Sequence, residues 1–272
     1  MAVHVLCSAS GAPGVTTTAL GLALTWPRPV LLVDADRTPA QAVQAGYLRG
    51  SIDDGRGLVS MLQAHRERHD LGDELLDAAT ELPPPPRPAS RGGAAEPTVT
   101  RRFLPGFSHP QTVDVFAPVW RPLFQALSDA PFDSVVDAGR IGHRGLPPEV
   151  VDAAARLLVV TRTSLPALAA LRLHLPGLVD RAAPGRVGLI VVGPGRPYGA
   201  GEVAEAFDLP VDAEIPLDVT GASELSEGLD VSPRWHGQAL PRAYAATASS
   251  LVAAWEKDRL APRTVADEVV SA

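Results

Sequence analysis

Ser8-Ala9-Ser10-Gly11-Ala12-Pro13-Gly14-Val15-Thr16-Thr17-Thr18 is the stretch whose residue types and spacing suit anion chemistry. An apolar run, Val3 to Cys7, precedes it, and a helical pattern through Leu20, Leu22, Leu24 and Trp26 follows. A strand, a small-residue turn and a helix start together make an anion site. The turn's N–H groups point inward, and the helix dipole adds partial positive charge. The phosphate-loop pattern is G-x-x-x-x-G-K-[ST]. The matching frame is Ala9, four residues, then Gly14-Val15-Thr16, so the second glycine and the hydroxyl are kept while the first glycine and the lysine are lost. A charge–charge contact at about 4 Å is worth roughly 4 kcal/mol at an effective dielectric of 20, so the loss is large. The chain's only lysine is Lys257, far from the loop in sequence. A replacement cation must be a metal ion or an arginine, and Arg140 is the most economical choice because it closely follows Asp137.

Carboxylates are the second requirement of phosphate chemistry. The β-type run Pro29 to Val33 ends in Asp34-Ala35-Asp36, and Phe132 to Asp137 reads as a buried strand ending in a carboxylate. In parallel sheets ligands gather at the carboxyl ends of strands, which would bring these groups to the loop. Thr16 could then bind Mg²⁺ with Asp137 behind it, and Asp36 could orient water, as phosphoryl transfer requires. Three other features read as structural. His65 and His69 stand four apart on a helical pattern, but no third ligand is evident and arginines lie between them. Gly193-Pro194-Gly195-Arg196-Pro197 reads as a rigid turn, and Cys7 as a buried, inert thiol.

The elements that must position these groups alternate. Helical patterns cover Leu20 to Trp26, Gly57 to Glu67, Asp73 to Thr80, Pro118 to Ala130, Pro148 to Ala155, Leu165 to Leu175 and Gly201 to Phe207. Strand-like runs cover Arg101 to Gly106, Leu157 to Thr161, Val187 to Val192 and Val211 to Ile215. This alternation predicts an α/β fold, a mostly parallel sheet with helices on both faces. A last helix puts Leu240, Tyr244, Ala248, Leu251, Val252 and Trp255 on one face. The proline-rich stretch near 81–100 reads as an insertion within a single domain spanning 1–258, and 259–272 as a tail.

Composition narrows the classes. The 272 residues carry a net charge of −7, which argues against a broad nucleic-acid surface. One cysteine rules out an internal disulfide and suits a reducing compartment. No apolar run is long enough to span a membrane, and no secretory signal is evident, so a cytoplasmic location is expected.

Leu31-Leu32-Val33-Asp34-Ala35-Asp36, Phe132 to Asp137 and Ile215-Pro216-Leu217-Asp218, taken with the loop, resemble the ParA/MinD family of P-loop ATPases. The resemblance covers most of the chain. It implies that Gly11, Ala12, Pro13, Gly14, Val15, Thr16 and Thr17 lie on the nucleotide phosphates, and that Pro216 borders the base. It implies that Thr16, Asp34 and Asp137 serve Mg²⁺ and that Asp36 serves the attacking water. The chain departs from the family at four places, one being Asp137-Ala138-Gly139-Arg140, which only loosely resembles the switch that follows the family's second Asp. Ser10 replaces the lysine that reaches across a dimer, Val15 replaces the phosphate lysine, and Gly193-Pro194 stands where an asparagine often reads adenine. Altered phosphate loops are similar to those of the TadZ/CpaE branch. The resemblance implies a weakly or non-hydrolysing, homodimerising scaffold that positions pilus, secretion or division machinery through a protein partner. It also leaves a second reading, an ATP-dependent partitioning switch in which arginine and Mg²⁺ replace the lysine, and a weaker third, a ligase resembling the dethiobiotin synthetases.

Overall fold

A computed structural model describes residues 1–11, 13–51, 55–86 and 99–260. In chain order the elements are β1 (Val3–Ser8), α1 (Val15–Thr25), β2 (Val30–Asp34), α2 (Leu58–Glu67), α3 (Leu71–Ala78) and β3 (Thr80–Glu81). They continue with β4 (Arg101–Leu104), α4 (Gln111–Val115), α5 (Trp120–Asp129), β5 (Asp133–Arg140), α6 (Pro148–Asp152) and β6 (Arg156–Arg162). The last are α7 (Leu165–Arg181), β7 (Val187–Val192), α8 (Ala200–Phe207), β8 (Val211–Ile215), α9 (Val219–Ser226) and α10 (Ala239–Leu260). A π-helical turn at Ala42–Tyr47 and 3₁₀ turns at Ala117–Val119 and Trp235–Gly237 fill connections.

The sheet runs β3-β4-β2-β5-β1-β6-β7-β8, and every neighbouring pair is parallel except β3 with β4. β1 lies between β5 and β6, with β2 and β4 beyond one and β7 and β8 beyond the other. The chain steps from β1 to β2 on one side and later from β5 to β6 on the other, so strand order reverses about β1 and a crevice opens beyond its carboxyl end.

Strand side chains alternate between two buried layers, as the two-residue period requires. Val5, Cys7, Leu31, Val33, Leu157 and Val159 pack with α2, α3, α5 and α7 on one face. Leu6, Leu32, Leu158 and Val160 pack with α1, α9 and α10 on the other. The stripe read from the last helix docks here: Leu240, Tyr244, Ala248, Leu251 and Val252 are buried. Cys7 is fully buried, and burial pushes its thiol up to about 12, so it is chemically quiet.

Several boundaries differ from the sequence reading, three of them with a clear physical cause. β5 continues past Asp137 to Arg140, because Ser8 pairs with Arg140 after a register shift. Asp137 therefore lies within a strand, not at its end. α7 runs through Pro176 to Arg181, held by Leu175 and Leu178 in the core, although the proline removes one helix hydrogen bond. α3 starts earlier, at Leu71, where the Asp70 carboxylate accepts a hydrogen bond from the Gly72 N–H at 2.7 Å. Of the proline-rich insertion, residues 87–98 lie outside the described residues, as do 261–272 of the tail.

The amino ends of the strands are fastened by one carboxylate. Asp133 is buried, and accepts hydrogen bonds from the Ala2 N–H at 2.8 Å, from Trp26 Nε1 at 2.9 Å and from the Arg28 guanidinium. Burial alone would raise its pKa, but these hydrogen bonds outweigh burial and hold it below the usual carboxylate range.

Candidate phosphate-loop site

The loop leaves β1 at Ser8, whose hydroxyl donates to the Ser10 carbonyl at 2.9 Å while its own carbonyl accepts the Ile141 N–H at 2.9 Å. Gly14 opens α1 with φ 101°, a backbone conformation that disfavours any side chain. No side chain caps α1, so the first N–H groups of an eleven-residue helix face the crevice with no side-chain acceptor. Pro13, Gly14, Val15, Thr16 and Thr17 all line that crevice, whereas Ala12 lies outside the described residues.

Val15, at the position matched to the phosphate lysine, is 6% exposed and joins the α1 core layer. The loop's cation comes from elsewhere. Arg140 ends β5 with its guanidinium against Gly11: a Cβ on Gly11 would lie 2.9 Å from an Arg140 nitrogen. Gly11 thus makes room for the arginine, and β5's extension past Asp137 delivers it.

The carboxylates converge as the strand order demands. Asp34 and Asp137 are register partners on β2 and β5. Asp137 accepts from the Gly139 N–H at 2.9 Å and is hydrogen-bonded to the Thr16 hydroxyl. Asp34 accepts from the Asp36 N–H at 3.2 Å and lies against Gly106, where a Cβ would come within 2.6 Å of its carboxyl carbon. Burial, followed by the charge of Asp137, pushes Asp34 well above the carboxylate range. Burial also raises Asp137, against the hydrogen bonds from Thr16 and Gly139. A buried and a half-buried carboxylate that resist ionising together, with a threonine hydroxyl alongside, form a donor set that a hard divalent cation would relieve. Among the described residues no cluster of three or more His, Cys, Asp or Glu side chains could hold a metal. A cation at Thr16, Asp34 and Asp137 would therefore need ligand or water oxygens as well, which is the habit of Mg²⁺.

Asp36 lines the crevice and accepts the Thr38 N–H at 2.7 Å. Burial raises its pKa, while the Thr38 hydrogen bond and the charges of Arg140 and Arg37 oppose this. Gly139, with φ 61°, packs against it, and a Cβ there would lie 2.1 Å from the Asp36 carboxyl carbon.

The crevice has a volume of about 500 Å³, within the range of small-molecule sites. Its far wall is the Ile215–Val219 segment, Pro216 included, with α9 and Tyr244 of α10. The Tyr244 hydroxyl is hydrogen-bonded to Thr18, and its ring fills the space that Gly21 leaves. Asp218 caps α9 through the Gly221 N–H at 2.9 Å. Sequence reasoning missed Arg162, the last residue of β6, which also lines the crevice. The available signal was its place directly after the apolar run Leu157 to Thr161, at a strand's carboxyl end.

The remaining candidates stay apart from the crevice. α2 ends at Glu67 and Arg68 turns left-handed, so His69 leaves the helix that carries His65 and hydrogen-bonds Glu74 at 3.1 Å. His65 and His69 therefore do not share a helix. The Gly193–Pro197 turn is pinned by Thr163, whose hydroxyl accepts the Arg196 N–H at 3.3 Å.

By sequence, the chain matches no family model and no curated protein. Solved structures do resemble it. A ParA family ATPase from Chlorobium tepidum superposes with TM-score 0.68 at 19% identity, covering 91% of this chain and 98% of that one. The septum site-determining protein MinD of Pyrococcus horikoshii, complexed with Mg-ADP, gives 0.62 at 18%, over 92% and 96%. A Cyanothece McdA variant in complex with ATP gives 0.62 at 16%, over 93% and 96%. The central parallel sheet, the loop between β1 and α1 and these superpositions together show that the chain has the P-loop NTPase fold of the ParA/MinD ATPases.

Proposed function

We propose that the protein is a ParA/MinD-like scaffold of spatial organisation, one that holds a nucleoside triphosphate with Mg²⁺ weakly and hydrolyses it slowly or not at all. It would work in the cytoplasm as a homodimer, positioning pilus, secretion or division machinery through a protein partner. The observation that carries this reading is the burial of Val15 beside a retained glycine, threonine and carboxylate set. The loop, the Thr16–Asp137 hydrogen bond and the Asp34–Asp137 pair suit a phosphate and a divalent cation. The position that should supply a lysine supplies core packing instead.

Bound Mg²⁺ would supply charge neutralisation at the phosphates. Thr16, Asp34 and Asp137 would hold it, the N–H groups at the start of α1 would cradle phosphate oxygens, and the Pro216 segment would border the base. Asp36 is the carboxylate placed to orient a water. It accepts the Thr38 N–H and sits in the field of Arg140, but burial outweighs both and holds its pKa above the usual carboxylate value.

The placement of Arg140 against Gly11 favours a second reading, an active partitioning switch in which this arginine replaces the lysine. Calorimetric titration with Mg·ATP and Mg·GTP, followed by a phosphate-release assay, separates the two. The scaffold reading expects weak binding and release no faster in the wild type than in Asp36→Ala. Mg²⁺-dependent turnover that Asp36→Ala abolishes would establish the switch instead, and no binding at millimolar nucleotide would remove nucleotide from the function altogether.

A further inference from the structure

A second cleft, of about 650 Å³, opens beside the first, between the loop that follows β5, residues Arg37 and Thr38 after β2, and the helical segment from Val113 to Trp120. Four cationic or ionisable nitrogen side chains line it: Arg37, Arg140, His143 and Arg144. Among the described residues, none of the three arginines makes a salt bridge. Arg37 donates to the Ile141 carbonyl at 3.0 Å and to the Gly145 carbonyl, which ties the loop to β2, but its Nε is buried with no acceptor. Burial lowers the pKa of Arg37, the charge of Asp36 opposes this, and Arg144 lies near enough that its charge adds to the lowering. Asp36 offsets part of the charge on Arg37 and Arg140, but Arg37 and Arg144 still repel one another and are unfavourable neighbours by themselves. They become favourable when an anion enters.

The rest of the lining identifies the anion's class. Val113, Trp120, Ile141 and Leu146 give the cleft apolar walls, and its volume exceeds what a single small anion fills. Asp114 and Glu149 also line it, and a continuous phosphate backbone would meet them unfavourably. We infer that this cleft is a docking site for an acidic, partly apolar segment of a partner protein, with carboxylates set against Arg37, His143 and Arg144 and apolar side chains against Trp120 and Ile141. Arg140 lines both clefts, so it is the side chain that a docked carboxylate and a phosphate at the loop would share.

The test is fluorescence anisotropy with the full chain and a short fluorescein-labelled peptide of Glu-Glu-Leu repeats, carried out without nucleotide. Failure of the nucleotide reading then leaves the result standing. His143 and Arg144 are exposed, so Arg144→Glu and His143→Glu leave the core untouched, which far-UV circular dichroism checks. Peptide binding is expected to weaken about tenfold in Arg144→Glu and measurably in His143→Glu. It should stay unchanged in Arg172→Glu, an exposed arginine on α7. The inference is overturned if Arg144→Glu binds like the wild type, if a Gln-Gln-Leu peptide binds as well, or if a single-stranded oligonucleotide binds the same face more tightly.

Discussion

Replacing Arg140 with Gln removes the cation that faces the phosphate loop and keeps a side chain of similar reach. Its effect on nucleotide affinity follows from geometry. The guanidinium lies beside Gly11 of the loop, and a unit charge pair at about 4 Å is worth about 1 kcal/mol in water and about 4 kcal/mol at a dielectric of 20. Arg140 is exposed at the crevice mouth, which places it toward the watery limit. A loss of about 1–2 kcal/mol corresponds to affinity roughly five- to thirtyfold weaker. Calorimetric titration with Mg·ATP reads this directly. Repeating it across salt adds a second criterion, because the Debye length of about 10 Å at 0.1 M screens an exposed contact. The wild type should lose affinity with salt more steeply than Arg140→Gln, and Arg140→Lys should lie between them. An Arg140→Gln protein that stays folded, binds within about twofold of the wild type and shows the same salt slope would refute the assignment. The loop's cation would then have to be sought at Arg162.

Two further outcomes test the framework beneath the site. Asp133→Ala should destabilise the fold by about 2–3 kcal/mol in chemical denaturation, because it unpairs Trp26 and the Ala2 N–H and leaves Arg28 with Glu256 alone; a change under about 1 kcal/mol would show that the cluster is dispensable. His4 is buried against Trp26 with neither ring nitrogen hydrogen-bonded, and burial lowers its pKa from 6.5 to about 4, against the opposing charge of Asp133. The unfolded chain therefore binds this proton first, so stability is intact above pH 6.5 and falls as pH drops from 6.5 toward 4. The fall attributable to His4 is up to about 3 kcal/mol. It should appear as the difference in pH dependence between the wild type and His4→Phe, and parallel curves would contradict it.

Much of this was legible in the residues. The alternation of apolar runs and helical stripes gives the α/β class, because a strand buried on both faces needs an unbroken apolar run and a docking helix needs a stripe. Segments governed by tertiary contacts were not legible. α9, the π-helical turn at Ala42–Tyr47 and the continuation of α7 through Pro176 have no strong local signature. They are fixed by what they pack against: Leu225 and Val43 in one layer, Leu175 and Leu178 in the other. His69 lies outside α2 for a local reason, since Arg68 turns left-handed and ends the helix between it and His65.

By itself the sequence determined the loop, its glycine and threonine, the three aspartates and the loss of both lysines, because these are matters of residue type and spacing. Only the tertiary structure decided which groups meet. Asp34 and Asp137 face each other because β5 inserts between β1 and β2, and strand order is set by the packing of whole layers, not by local period. Arg140 reaches Gly11 because Ser8 pairs with it one register step beyond the regular ladder. The same extension carries the chain into the second, cationic cleft. A one-residue change of register reverses the face to which a side chain points, and nothing in a local pattern specifies that change.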